Sequence, residues 1–190
     1  MKKLTAMYLI CFLALALSGC GKSSDLNKED KKSDYAQAAD VLKTVADSYT
    51  QEERFAMYGG DQEHAVMDEP GKFDISKQEE MEEALGLPTE LASDIEDAAS
   101  MVHMMNGNLF TGAAYRLKSS TDTDHFAQAV KGVLREKQWI CGQPDTMTVI
   151  NVDGVYVITA YGEAQIMETF KKKAMSVFKD AKIVIEAPIV

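Results

Sequence analysis

The chain has 190 residues and a formal net charge of -10, with 20 basic and 30 acidic side chains. Residues 21–100 alone contain 8 basic and 21 acidic side chains, and phosphate backbones would repel so acidic a surface, which argues against nucleic-acid binding. A hydrophobic content of 46% is ordinary for a globular protein, and the length is sufficient for one domain with its own core.

The first predicted element is an export signal over residues 1–19. Two lysines precede an apolar run over residues 4–17, and this run is shorter than the ~20 residues that a transmembrane helix needs. It ends in Leu17-Ser18-Gly19-Cys20, which resembles the lipobox of bacterial lipoproteins. The resemblance implies that Cys20 is acylated and becomes the mature N-terminus. The chain would then be anchored to the extracytoplasmic face of the cell membrane.

Residues 20–34, which begin with the lipidated cysteine, are polar and aperiodic, which is typical of a flexible tether. From Asp34 onward, apolar side chains recur three and four residues apart, which predicts an amphipathic helix that ends at Gly59-Gly60. Residues 61–75 have the composition of a loop and contain Pro70-Gly71.

Two further short helices are predicted before the C-terminal half. The first opens with a capping box at Ser76-Lys77-Gln78-Glu79 and ends at Gly86, and the second follows Pro88. Residues 35–107 are therefore predicted to form an acidic helical lead to the rest of the domain.

Residues 108–190 show the order β-α-β-β-α-β. Its centre is a hairpin around Asp153-Gly154, the strongest short hairpin signal, and Thr121 is the expected cap of the helix before it. With right-handed crossovers, this order predicts an α+β fold with a ferredoxin-like four-stranded antiparallel sheet and both helices on one face. The helical lead either covers the opposite face or leaves it open as a binding surface.

The short motifs from Leu87 to Ile95 and at Met104-Met105-Asn106 are followed by the strand, the helix and the hairpin described above. From about Leu85 to the C-terminus, this combination resembles a family of uncharacterised bacterial lipoproteins. Their C-terminal domain of unknown function is common in anaerobic Gram-positive bacteria. The resemblance implies a membrane address and a single compact domain, with no established activity to transfer.

One group of side chains could bind a metal: Met101, His103, Met104 and Met105. Thioether and imidazole ligands together suit Cu(I), but methionine is also a common core residue. A ferredoxin-like copper carrier would further need a Cys-x-x-Cys motif in its first loop, which this sequence lacks. Copper binding is therefore kept as the alternative function, and no cofactor is predicted.

Cys141 is the only cysteine that the mature domain would retain, so no intramolecular disulfide can form. We predict that it is a small buried residue; the alternative is a reactive thiol paired with His103 or His125. The motifs of serine hydrolases, zinc proteases and phosphate-binding loops are absent. The sequence thus favours a non-catalytic module that binds a protein or small molecule at the cell surface.

Three groups of charged side chains are interpreted as solvated helix surfaces or helix-dipole partners rather than ligand sites. They are Glu79, Glu80, Glu82 and Glu83; Asp122, Asp124 and His125; and Lys171, Lys172 and Lys173.

Overall fold

An eight-stranded antiparallel sheet forms the centre of residues 33–189, the part of the chain that this computed structural model describes. The strands are β1 Met57–Gly59, β2 Val66–Met67, β3 Gly71–Phe73, β4 Ile95–His103, β5 Phe110–Leu117, β6 Thr146–Val152, β7 Tyr156–Gly162 and β8 Lys182–Pro188. The α-helices are α1 Ala38–Asp47, α2 Gln78–Leu85, α3 Thr123–Glu136 and α4 Ala164–Val177, and Thr89–Asp94 forms a 3-10 helix. The strand order is β2-β1-β4-β5-β7-β6-β8, and β3 also pairs with β4.

The predicted ferredoxin-like four-stranded sheet is wrong. In that arrangement β8 would pair with the outer edge of β5. The structure places β4 along that edge instead, in a ladder that runs from Ile95 opposite Leu117 to Val102 opposite Thr111. β8 pairs with β6, on the other side of the hairpin. The segment predicted as a helical lead supplies β1 to β4, and this doubles the number of strands.

The two long C-terminal helices lie on opposite faces of the sheet, whereas the sequence predicted one face. α3 connects β5 to β6 and α4 connects β7 to β8, and both connections cross one intervening strand in the same direction along the sheet. Because β5 and β7 are antiparallel, two crossovers of the same right hand must lie on opposite faces. The position of β8 therefore decides the layer to which α4 belongs.

Helices α1 and α4 cover one face of the sheet. The rings of Phe110 on β5 and Phe170 on α4 pack with centroids 5.0 Å apart. β4 also holds the start of α1, since the carboxylate of Asp97 accepts a 2.7 Å hydrogen bond from the backbone N–H of Ala38. Other fully buried members of this layer are Val41, Leu42, Val45, Met101, Ile158 and Ala174.

Helices α2 and α3 and the 3-10 helix cover the other face. Tyr115 of β5 packs on Phe126 of α3 with ring centroids 5.6 Å apart, and both side chains are fully buried. The same layer contains Met81, Leu85, Leu91, Val130, Leu134 and Val149. In the described part of the chain the sheet is thus sandwiched, so the alternative of an open sheet face as a binding surface is excluded there.

The predicted lead is only partly helical. α1 ends at Asp47, well before Gly59-Gly60, although its predicted apolar stripe is buried as expected. The helix predicted after Pro88 is a 3-10 helix that stops at Asp94, and Ile95 starts strand β4.

Helix α2 ends where predicted but does not start with a capping box. Gly86 terminates it with a left-handed φ of 72°, which glycine adopts without strain. At the other end, Lys77 is the N-cap residue and makes no side-chain capping bond. The backbone N–H of Ser76 instead donates to the carboxylate of Asp74 at 2.9 Å.

The local elements of the C-terminal half are confirmed: β5, α3, the β6–β7 hairpin, α4 and β8. In the hairpin turn, Asp153 and Gly154 have φ values of 53° and 77°, as a primed turn requires. The cap of α3 is Asp122 rather than Thr121, because the Asp122 carboxylate accepts bonds from the backbone N–H groups of the helix's first turn.

The sheet has two ends, which we call the hairpin end and the loop end. The hairpin end contains the Asp153-Gly154 turn, and the loop end contains the connections at residues 104–109 and 137–145. Ser33, the first described residue, donates a hydrogen bond from its hydroxyl to the carboxylate of Asp153. The Tyr156 hydroxyl donates to the carbonyl of Tyr35 at 3.1 Å. The preceding chain therefore enters the fold at the hairpin end.

Candidate interaction surface

Exposed apolar side chains lie together at the loop end of the sheet. Met105 and Ile140 are each 81% exposed and Met104 is 39% exposed. Single exposed apolar residues are common on protein surfaces, but neighbouring ones indicate a contact surface. We call Met104, Met105 and Ile140 the methionine patch.

Two asparagines hold the halves of the methionine patch side by side. The Asn108 side-chain amide donates to the carbonyls of Ile140 and Gly142 at 2.7 and 2.6 Å. The Asn106 amide donates to the carbonyl of Cys141 at 3.0 Å. These bonds cross from the β4–β5 connection to the α3–β6 connection, so the apolar side chains are presented by tethered backbone.

The base of the patch rests on β1 and the residues before it. The backbone N–H of Met104 donates to the carbonyl of Ala56 at 2.9 Å. The ring of His103 stacks on Phe55 with centroids 5.1 Å apart and an interplanar angle of 16°. Nδ1 of His103 accepts a 3.2 Å bond from the backbone N–H of Met105. The imidazole thus supports the loop from within.

The structure places the four candidate metal ligands in different environments. Met101 is fully buried in the layer formed by α1 and α4, whereas Met104 and Met105 lie beyond the end of β4 in solvent. His103 is engaged with Phe55 and with the loop backbone. Among residues 33–189, no group of three His, Cys, Asp or Glu side chains is arranged to hold a metal ion.

Cys141 is exposed, so the prediction of a small buried residue is wrong. Its φ of 65° places the backbone in the left-handed region, and Gly142 follows with a φ of 107°. The tight turn projects from the surface instead of continuing an apolar core. No hydrogen bond joins the thiol to His103 or His125 in the described residues, and His125, in the first turn of α3, lies at the hairpin end.

The most highly coordinated buried charge of the described residues is Asp61, in the connection between β1 and β2. Its side chain is 1% exposed and lies 2.8 Å from Lys77 Nζ and 3.0 Å from His64 Nδ1. The backbone N–H groups of Glu63 and Asp74 donate to it at 3.0 and 3.2 Å. Burial works to raise the pKa of Asp61, but these donors outweigh it and hold the pKa well below its ordinary value.

The Asp61 cluster borders a cleft of about 520 Å³ that is lined by Asp61, His64, Lys72, Phe73, Asp74, Ile75, Glu96 and Asp97. The Asp61–His64 pair has the form of a carboxylate that orients a base. However, the lining contains no serine, threonine or cysteine that could act as a nucleophile. The donors to Asp61 come from the 61–64 and 74–77 segments, so this carboxylate joins two connections of the fold.

Two of the three consecutive lysines on α4 form close ion pairs. Lys171 lies 2.6 Å from Glu168 and 2.7 Å from Glu186, and Lys173 lies 2.6 Å from Glu53. Both lysines are at most 20% exposed, so the interpretation of a purely solvated lysine run is wrong for them. They attach α4 to β8 and to the segment after α1.

Cys20 and the lipobox lie outside the described residues. No helix within residues 33–189 is long and apolar enough to cross a membrane. Comparison with protein-family models, with curated proteins and with solved structures found no match to this chain.

The sequence analysis singled out Met104 and Met105 as candidate metal ligands, and the structure places both in the methionine patch. It missed Asn106 and Asn108, although an Asn-Gly-Asn run is a strong loop signal. It also missed Asp61, whose main partner, Lys77, is distant in sequence. Neither the two asparagines nor Asp61 lies in a local sequence pattern that identifies its hydrogen-bond partners.

Proposed function

We propose that this protein is a lipid-anchored, extracytoplasmic interaction module that binds a partner protein through the methionine patch. The observation that carries the proposal is the position of the patch, at the opposite end of the strands from Ser33, where the chain leaves for Cys20. A surface next to the anchor would be restricted by the bilayer, whereas the methionine patch, at the far end of the strands, would remain accessible to a partner.

The chemistry of the patch supports a protein partner with an apolar surface. Methionine side chains are flexible and polarisable, so they adapt to apolar surfaces of different shapes. Ile140 adds a stiff branched side chain, and the asparagine bonds fix the backbone, which lowers the entropy lost on binding. Met101 is fully buried, whereas Met104 and Met105 are exposed, and the cleft near Asp61 contains no serine, threonine or cysteine, so the proposal rests on the exposed apolar patch.

The anchor is tested by replacing Cys20 with serine in the full-length chain. We expect an unprocessed, unlipidated precursor, because serine cannot form the thioether that carries the lipid. The domain should retain wild-type protease resistance, since its sheet is complete without the tether. Metabolic labelling with an alkyne fatty acid and membrane fractionation provide the measurement. A Cys20→Ser chain that was still processed and labelled would contradict the anchor.

The patch is tested with its own neighbour, Cys141, as the reporter. The thiol is exposed, so a benzophenone maleimide on Cys141 should cross-link the bound partner in intact cells. Introducing charge with Met105→Glu or Ile140→Glu should reduce the cross-linked product at least ~10-fold, because central apolar contacts dominate binding.

The matched control for the patch is Met67→Glu, which adds the same charge at a 58% exposed methionine on β2. It should leave the cross-linked product unchanged. Equal losses from the three variants would contradict a specific patch, as would a product that none of them changes.

A further inference from the structure

The nine methionines within residues 33–189 differ widely in exposure. Met105 is 81% exposed, Met67 is 58% exposed and Met104 is 39% exposed. Met175 is half-buried on α4. The other five are at most 3% exposed: Met57, Met81, Met101, Met147 and Met167. An oxidant dissolved in water therefore reaches the thioether sulfurs of the methionine patch before it reaches those of the core.

The hydrogen bonds that hold the two patch methionines do not involve sulfur. The backbone N–H of Met104 donates to the carbonyl of Ala56 at 2.9 Å. The backbone N–H of Met105 donates to Nδ1 of His103 at 3.2 Å. Adding an oxygen atom to either thioether leaves these bonds in place, so the surface can change its polarity while the fold is retained.

We propose that Met104 and Met105 form an oxidation site at which hydrogen peroxide converts the methionine patch to a polar surface and releases the bound partner. In each conversion the thioether sulfur forms a bond to one peroxide oxygen as the O–O bond breaks. The sulfur loses two electrons, the peroxide is reduced, and both of its hydrogens leave in a molecule of water. The release rests on the partner binding proposed above, whereas the oxidation does not.

The release follows from the hydrogen-bonding needs of the sulfoxide oxygen. This oxygen is a polar acceptor, and the side chains of the methionine patch contain no N–H or O–H group that could donate to it. An apolar partner surface would displace the water around the oxygen without replacing its hydrogen bonds. An unsatisfied buried polar group of this kind should weaken binding by at least ~10-fold.

Peptide mapping by mass spectrometry tests the oxidation site on the purified full-length chain, with the exposed thiol of Cys141 blocked by a maleimide. Under hydrogen peroxide, Met105 should gain one oxygen at least ~10-fold faster than the fully buried Met101 and Met147, and Met104 should react at an intermediate rate. The melting temperature should be unchanged while the core methionines are still unmodified. Oxidation of Met105 no faster than that of Met101 would overturn the site, as would unfolding at this stage.

The release is tested in intact cells with the benzophenone on Cys141. Peroxide treatment, ended with catalase before irradiation, should reduce the cross-linked product at least ~10-fold. The double variant Met104→Leu, Met105→Leu has apolar side chains of similar size that cannot form a sulfoxide, so its product should survive the treatment. Peroxide damage to the partner or to the label would lower the product of this variant as well.

Two further variants isolate the effect of polarity at the patch. Met67→Leu removes an exposed methionine on β2, outside the patch, and should leave the product as sensitive to peroxide as that of the wild type. Met105→Gln introduces a polar side chain of similar length and should lower the product without any peroxide. An undiminished product from Met105→Gln would refute the argument from polarity.

The outcomes separate the release from the proposed partner binding. If untreated wild-type cells gave no cross-linked product, the partner binding would fail and the release with it, while peptide mapping would still decide the oxidation site. A product that persisted after both patch methionines were converted would overturn the release alone. Equal peroxide sensitivity of the wild type and the double leucine variant would do the same, because the reacting group would then lie elsewhere.

Discussion

Replacing Asp61 with alanine should lower the free energy of unfolding by about 3–5 kcal/mol, the usual effect of removing one partner of a buried ion pair. The carboxylate is 1% exposed and Lys77, which it contacts at 2.8 Å, is only 20% exposed. Without Asp61, the backbone N–H groups of Glu63 and Asp74 would also lose their acceptor. Urea denaturation followed by circular dichroism measures the change.

Two variants separate the role of the Asp61 carboxylate from a general loss of charge. Asp61→Asn should recover part of the loss, because the amide oxygen can still accept bonds from the two backbone N–H groups. Asp47→Ala removes an aspartate that is 59% exposed and also lies near basic side chains, and it should have little effect. If Asp47→Ala destabilised the protein as much as Asp61→Ala, the special role of Asp61 would be refuted.

The lowered pKa of Asp61 also determines how its contribution to the free energy of unfolding changes with pH. A carboxyl whose pKa is lower in the folded than in the unfolded chain stabilises the fold above the unfolded value of ~3.9. This stabilisation is lost as the pH falls toward the folded pKa. The stability difference between wild type and Asp61→Asn should thus be constant near neutral pH and shrink below about pH 4. A difference that grew with acidification would contradict the assignment.

Elements defined by neighbouring residues could be predicted from the sequence. Asp153-Gly154 has the backbone preferences of a tight hairpin turn wherever it occurs, and α3 and α4 have apolar stripes with helical spacing. For the same reason Gly86 was correctly predicted to end α2. These features depend on contacts within a few residues along the chain.

Strand β4 could not be predicted because its structure depends on its neighbours in the sheet. Its sequence, from Ile95 to His103, contains glutamate, aspartate and two alanines, all of which have low strand propensity. It is extended because β5 pairs with one edge and β1 and β3 pair with the other. The helical interpretation of this segment left β5 with a free edge, and the ferredoxin-like order followed from that error.

The methionine patch could not be predicted from neighbouring residues either. Exposure of Met105 and Ile140 cannot be inferred from residue type, since both types are usually buried. Their proximity depends on bonds from Asn106 and Asn108 to a connection more than thirty positions further along the chain. The exposed position of Cys141 follows from the same bonds, because they hold the turn that projects it.

Replacing Phe170 with alanine should lower the free energy of unfolding by about 3–5 kcal/mol, the usual range for a phenylalanine in a core. The side chain is fully buried and packs against Phe110 with ring centroids 5.0 Å apart. Lys172→Ala, on the same helix, is the control and should have little effect. Urea denaturation again provides the measurement, and a loss below about 1 kcal/mol would contradict the packing of α4 on this face.

Double-mutant cycles with leucine at these sites distinguish the observed sheet from the ferredoxin-like one. Phe170 and Phe110 share a core layer, so Phe170→Leu and Phe110→Leu should be non-additive by at least ~0.5 kcal/mol. Phe126 of α3 lies on the opposite face, so its leucine variant should be additive with Phe170→Leu. In a ferredoxin-like arrangement both helices would share one layer, and coupling between Phe126 and Phe170 would then be expected. Such coupling, together with additivity between Phe170 and Phe110, would refute the three-layer arrangement described here.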